Sequence, residues 1–100
     1  MRISVAARRI SRLSTGRHFL AFLAKPARVV QLDGRSALAV VSVTKAEGDL
    51  DVAEDRFVRS LRDSGVETEL AAERFRESIA VLLECGVLHQ EPSGVPGSRA

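Results

Sequence analysis

The chain has few aromatic residues and a single cysteine. Four Phe are present among 100 residues, with no Trp or Tyr, which leaves little material for the base-stacking surfaces of single-strand binders. Cys85 has no second cysteine for an internal disulfide, and no clustered histidines join it at zinc-ligand spacing. No apolar run is long enough to cross a bilayer. The sequence therefore predicts a cytoplasmic protein without a metal site or a membrane span.

The residue groupings that carry catalysis are also missing. His18 and His89 lie far apart in the sequence, and nothing near either one completes a catalytic set. Gly16, after Ser14 and Thr15, is the nearest approach to a phosphate-binding loop, and one glycine does not make a P-loop. We therefore expect a binding protein or an accessory subunit and not an enzyme, with no catalytic residue and no cofactor.

Positive and negative charges are divided unevenly along the chain. Residues 1 to 45 carry a net charge of +8 and residues 46 to 91 a net charge of −7, although the whole chain carries only +2. Such asymmetry predicts an electrostatic partner for one or both halves. The alternative is that the two halves neutralise each other within the fold.

Length and composition indicate one globular domain. The chain is 45% hydrophobic and 28% charged, which is ordinary for a folded domain of this size. We place the domain at residues 1 to 90. Residues 91 to 100 are rich in Pro, Gly and Ser, so we expect them to form a flexible tail.

The first 25 residues are basic and contain no acid. Ile3, Ala6, Ile10 and Leu13 recur at helical spacing with arginines between them, which predicts a basic amphipathic helix ahead of the main fold. A mitochondrial presequence has a similar composition. However, the segment HFLAFLAKP that follows is apolar enough to pack as core, which favours the helix as part of the domain.

The stretch ARVVQLDGRSALAVVSV predicts a β-hairpin. Asp33 and Gly34 separate two runs of β-forming residues, and Asp-Gly tolerates the positive φ angles of a type I′ turn. The second run, residues 36 to 43, is almost entirely apolar, so we expect a strand that is covered on both faces. A further strand is expected from RISVA near the N-terminus or from GVLHQ at residues 86 to 90.

An amphipathic helix is expected over residues 52 to 64. Asp51, with an acid three residues later, resembles a capping box that opens this helix. Gly65 is placed to end it in the left-handed conformation.

A longer helix is expected from residue 68 to residue 85. Thr68 is its expected cap, and Gly86 is expected to stop it. The core stripe predicted for this helix is Ala71, Phe75, Ile79, Leu82 and Leu83.

The helix pair followed by Gly86-Val87-Leu88 resembles the end of many winged-helix domains. The stretch AERFRESIAVLLECGVL, residues 72 to 88, carries this resemblance through its aliphatic spacing. Among winged-helix domains the chain looks most like the PqqD-like proteins, also called RiPP recognition elements, in which a β-hairpin precedes the helices. The expected fold is α+β: a small winged-helix-like domain of a β-hairpin plus a helix-turn-helix, with the extra basic N-terminal helix.

The resemblance implies a non-catalytic peptide-recognition subunit. PqqD-like proteins hold the leader segment of a ribosomally made precursor peptide as an added strand and present it to a modifying enzyme. Backbone hydrogen bonds then supply affinity, and pockets beside the neighbouring helix supply selectivity. The expected partner is thus a precursor peptide or an enzyme. The matching positions are on the second hairpin strand and the last helix: Ser36, Leu38, Val40, Arg74, Ser78 and Val81.

The alternative is a winged-helix transcriptional regulator that binds nucleic acid. The last helix would then lie in the major groove, yet residues 67 to 88 carry five acids against two arginines, the wrong sign for approaching phosphate. Such a regulator would instead use the basic N-terminal half for backbone contacts, which add affinity but little sequence information. The arginines expected in this role are Arg8, Arg9, Arg12, Arg17, Arg28 and Arg35.

Overall fold

A computed structural model describes residues 2–12, 18–24 and 27–91. In this part of the chain, four strands precede three helices and a final strand follows them. The elements are β1 Ile3–Val5, β2 Arg9–Arg12, β3 His18–Ala24, β4 Ala27–Asp33, α1 Gly34–Lys45, α2 Leu50–Asp63, α3 Thr68–Glu84 and β5 Leu88–Gln90. The predicted α+β class is confirmed. Of the predicted tail, residues 92–100 lie outside the described residues.

The strands form two antiparallel sheets. Strands β2, β3 and β4 make a three-stranded sheet in that order, and β1 pairs with β5. Strands β3 and β4 pair along their whole length, from His18 opposite Asp33 to Ala24 opposite Ala27. Ile3 on β1 lies opposite Gln90 on β5, so both of the candidate extra strands exist and each is the partner of the other.

The predicted turn at Asp33 and Gly34 is wrong, because α1 begins at Gly34. Asp33 is the N-cap of α1, and its carboxylate accepts a hydrogen bond from the backbone N–H of Ser36 at 2.7 Å. An Asp that precedes glycine suits a helix N-cap as well as it suits a type I′ turn. The long hairpin of the fold is β3–β4, which lies one element earlier than predicted.

Residues 36 to 43, predicted as a strand, belong to α1. The run is apolar on several sides because α1 contacts the β3–β4 hairpin, β1 and both later helices. Its buried residues include Ala37, Val40 and Val43. A short apolar run fits a buried helix as well as a buried strand, and the surrounding elements decide between them here.

The predicted basic N-terminal helix is also wrong, because the described residues of this segment form β1, β2 and β3. Ile3 belongs to the buried core, and Ile10 on β2 lies opposite Ala21 on β3. The helical spacing of the apolar residues is therefore coincidental. Leu13, the last residue of that pattern, lies outside the described residues.

Helix α2 is confirmed, and it begins two residues earlier than predicted. Its N-cap is Asp49, whose carboxylate accepts hydrogen bonds from the backbone N–H groups of Asp51 at 3.0 Å and Val52 at 3.2 Å. Gly65 and Gly86 have positive φ angles, +92° and +86° respectively. Gly65 follows α2 in the left-handed conformation, as predicted, and Gly86 follows the end of α3, where the sequence predicts a stop.

Helix α3 is confirmed together with its core stripe. Ala71, Phe75, Ile79 and Leu82 are buried, and Leu83 packs partly buried against the core. The predicted cap is wrong by one residue, because the N-cap is Glu67 and it makes no side-chain capping bond. Helices α2 and α3 form the expected helix pair. The winged-helix architecture, as a finer description of this α+β fold, stays a prediction.

Candidate functional site

Strand β4 has an open outer edge. It is the terminal strand of its sheet, and no other strand among the described residues pairs with its outer side. Phe22 on β3 turns its carbonyl toward β2, where it accepts a hydrogen bond from the Arg8 N–H at 2.8 Å. Because the backbone groups of Phe22 face β2, Phe22 and the residue opposite it on β4 form a pair without hydrogen bonds to each other. In an antiparallel ladder, the β4 residue of such a pair directs its N–H and C=O away from β3. That residue is Val29, so Val29 and, two positions on, Gln31 present backbone groups at the edge.

The side chains of β4 alternate between the core and the outer face of the sheet. Leu32 is buried, whereas the side chain of Val29 is 54% exposed. Val29 lies opposite Phe22, and the guanidinium carbon of Arg9 on β2 lies 4.7 Å from the centroid of the Phe22 ring. The open edge is therefore bordered by a partly exposed apolar surface with one cation above it.

The beginning of β4 is joined to the end of α3. The Arg28 guanidinium donates a hydrogen bond to the backbone carbonyl of Cys85, which is the C-cap of α3. A Cβ on the next residue, Gly86, would lie 2.8 Å from Nη2 of Arg28. Both the positive φ angle and the approach of Arg28 thus favour glycine at residue 86.

A cavity of about 360 Å³ lies at this junction. The charged and titratable residues that line it are Arg8, Arg28 and His89, and Leu23 and Ala24 contribute apolar walls. Among the described residues, no Asp or Glu lines the cavity. Its electrostatic character therefore suits an anionic group at the beginning of the β4 edge.

The predicted peptide-binding residues divide between two helices. Ser36, Leu38 and Val40 lie on α1, so their assignment to a hairpin strand is wrong, and Val40 is buried in the core. This outcome follows from the misplaced turn, because a helix that begins at Gly34 satisfies its backbone groups internally.

The other three predicted residues lie on α3, the helix to which the sequence assigned them. Val81 is 58% exposed, whereas Ser78 is buried. Arg74 pairs with Glu77 on its own helix at 3.0 Å. Val81 stands one turn before Cys85, so it is the predicted side chain on α3 that lies nearest in sequence to the junction with β4.

The residues that sequence reasoning missed are Val29 and Gln31. The segment ARVVQLD was correctly expected to be a strand, and its alternation of side chains was visible. It was assigned to the first strand of a hairpin and not to the second. Which strand forms the edge of the sheet depends on pairing with β3, and that pairing was not apparent from the residues alone.

The arginines of the nucleic-acid alternative occupy different surroundings. Arg9 and Arg12 are on β2, and Arg8 lines the junction cavity. Arg28 bonds to Cys85, and Arg35 is exposed near the beginning of α1. Arg17 lies outside the described residues. A role for these side chains in binding nucleic acid stays a prediction.

Within residues 2–12, 18–24 and 27–91, no group of three or more His, Cys, Asp or Glu side chains is placed to hold a metal ion. In the same part of the chain, no helix has the length and apolar character that crossing a membrane requires. No protein-family model, curated protein or solved structure matches the chain at a significant level. The geometry of the β4 edge is therefore the basis for a functional proposal.

Proposed function

We propose that the protein is a non-catalytic recognition module that binds an extended peptide segment as an added strand on the outer edge of β4. The observation that carries the proposal is the terminal position of β4 in its sheet, since the pairing of Phe22 with both neighbouring strands implies that Val29 and Gln31 direct their backbone groups outward. An added strand would bond to these groups, and alternate side chains would contact the surfaces on either side.

The edge of β4 is better suited to pairing with an added strand than the edge of β2. Strand β2 is four residues long and has an arginine at each end, and short, charged edge strands resist pairing with another chain. Strand β4 is seven residues long and has Val29 and Val30 at its centre. Its length and its exposed valine favour pairing.

Helix α3 is the element that would supply selectivity. The bond between Arg28 and Cys85 keeps its C-terminal turn next to the beginning of β4. The junction cavity there is lined by Arg8 and Arg28 and by no carboxylate from the described part of the chain. We therefore expect the bound segment to place an acidic side chain near Arg8 and Arg28. The acidic composition of α3 supports a peptide partner over DNA, because acids on that helix would repel phosphate.

The proposal is tested by selecting binders from a displayed random-peptide library and comparing two variants at one position. Val29→Pro removes the outward N–H and leaves bonds between β3 and β4 in place, because Val29 does not donate to β3. Val29→Ala retains the N–H and shortens the side chain. Loss of a backbone bond costs about 0.5–1.5 kcal/mol, so Val29→Pro should bind selected peptides roughly two- to tenfold more weakly.

Val29→Ala is the matched control, and we expect it to retain most of the affinity. Both variants should unfold thermally as folded domains do. Equal affinity of wild type and Val29→Pro for every selected peptide would overturn strand addition at this edge.

Affinity capture from the native cytoplasm after nuclease treatment identifies the natural partner. Recovery of nucleic acid alone, lost at raised salt, would move the function to the arginines of the N-terminal half.

A further inference from the structure

A second, smaller cavity lies between α1 and α2. It measures about 160 Å³ and is lined by Val41, Ser42, Lys45, Arg56, Arg59 and Ser60. None of these residues belongs to β4 or α3, so the cavity is separate from the proposed peptide site. We propose that it binds a phosphate group.

The charge of the cavity is the first observation that carries this proposal. Of the six described residues that line it, three are cationic, namely Lys45, Arg56 and Arg59, and none is acidic. The side chains of these three cations have no hydrogen bond or ion pair to another described residue. Like charges around one small cavity repel each other, and a bound anion would convert that repulsion into attraction.

The arrangement of donors is the second observation. Arg56 and Arg59 are three residues apart on α2, a spacing that places two side chains on the same face of a helix. Arginine presents a planar fork of N–H groups that matches the oxygens of phosphate, and lysine adds a compact charge. A phosphate in the cavity would therefore lie between two arginines of α2 and one lysine of α1.

The two serines have different roles in this arrangement. The Ser42 hydroxyl donates to the Leu38 carbonyl one turn earlier at 2.8 Å, so its proton is already engaged. Ser60 is exposed, and its hydroxyl has no hydrogen bond to another described residue. Ser60 can therefore donate to a phosphate oxygen, whereas Ser42 forms part of the cavity wall.

A role in stabilising the helices explains the position of only some of the three cations that line the cavity. Lys45 is in the last turn of α1, where a cation stabilises the helix dipole. Arg59 has acids four residues away on either side, Asp55 and Asp63, yet no ion pair forms with either one. Pairing within α2 therefore does not account for the two arginines, Arg56 and Arg59, that line the cavity.

The test is a titration of the ¹⁵N-labelled full chain followed by NMR. Sodium phosphate is added in one series and sodium chloride in another at matched ionic strength and pH 7. Phosphate should produce saturable shifts of the backbone amides of residues 41 to 45 and 56 to 60. The variant with both Arg56→Ala and Arg59→Ala should lose at least tenfold in affinity. Arg62→Ala, an exposed arginine on the same helix that does not line the cavity, should bind as wild type.

A second series replaces phosphate with O-phosphoserine to distinguish the source of the group. Tighter binding of O-phosphoserine indicates a phosphate carried by a larger molecule, and tighter binding of inorganic phosphate indicates the free anion. Shifts that chloride reproduces, or that persist in the Arg56→Ala, Arg59→Ala variant, would overturn the proposal. Val29→Pro should leave phosphate binding unchanged, so the tests of the phosphate site and of the peptide edge are independent of each other.

Discussion

The guanidinium of Arg28 donates a hydrogen bond to the backbone carbonyl of Cys85, a residue 57 positions later in the chain. The last carbonyls of a helix have no intrahelical partner, and a cation at that end also offsets the helix dipole. The bond thus completes the C-terminus of α3 and, at the same time, fixes the beginning of the candidate peptide edge beside it.

Gly86→Ala is expected to destabilise the protein more than Gly65→Ala. Both glycines have positive φ angles, which cost another residue about 1–2 kcal/mol, but a Cβ at residue 65 meets open space. A Cβ at residue 86 meets the Arg28 guanidinium and would displace it from the Cys85 carbonyl. The excess should be about 1 kcal/mol, the contribution of one hydrogen bond, measured by urea unfolding.

A double-mutant cycle tests the cause of that excess. In an Arg28→Ala background the guanidinium is absent, so the two glycine substitutions should have similar effects. An undiminished difference in that background would show that the cost at residue 86 does not arise from Arg28.

Phe75→Ala and Leu82→Ala are each expected to lower the free energy of unfolding by about 2–5 kcal/mol. Both side chains are buried, and the Phe75 ring packs against Phe57 with centroids 5.2 Å apart. So large a loss approaches the total stability of a small domain. Val81→Ala is the control on the same helix, because its exposed side chain should matter by less than about 0.5 kcal/mol. Thermal unfolding followed by circular dichroism measures all three.

Asp33 should make the stability of the protein depend on pH. The Ser36 N–H that donates to its carboxylate lowers the pKa of Asp33 below the ordinary value of 3.8, and the nearby charge of Arg35 acts in the same direction. Because the pKa is lower in the folded state, this contribution is fully present well above pH 3.8. It is lost as the pH falls through the folded-state pKa.

Two substitutions separate the charge of Asp33 from its capping role. Asn caps helices about as well as Asp, so Asp33→Asn should retain most of the stability at pH 7 and lose less of it on acidification. Asp33→Ala should cost about 1 kcal/mol at pH 7. An acid transition in Asp33→Asn as steep as in wild type would assign the pH dependence to other carboxylates.

Local signals account for the parts of the fold that were predictable. Helices α2 and α3 have strong amphipathic periodicity, and a glycine in the left-handed conformation follows each of them, so nearby residues were enough to define both. The N-terminal strands depend on distant partners, since Ile3 pairs with Gln90. Asp33 was ambiguous for a different reason, because an Asp before glycine suits two local structures and only tertiary packing decides between them.

The candidate site was also predictable only in part: the sequence identified its helix but not its strand. Val81 and Arg74 were assigned to the correct helix because the periodicity of α3 was clear. The strand was misidentified because an edge is a property of the order of strands in a sheet. Val29 is at an edge only because β4 has β3 on one side and no described strand on the other, a relation that no short segment encodes.

Glu67→Asp is expected to stabilise the protein. Glu67 has the extended conformation of an N-cap, with φ −63° and ψ 145°, but its side chain makes no capping bond. Asp, one methylene shorter, is among the preferred N-cap residues because its carboxylate can accept from the backbone N–H groups of the first turn. The change retains the negative charge, so the interaction with the helix dipole is preserved and any gain reports capping. We expect a gain of about 1 kcal/mol and a rise in Tm of roughly 4–8 °C, whereas Glu67→Ala should give no gain. Equal Tm values for Glu67→Asp and wild type would mean that the first turn of α3 is already satisfied in solution.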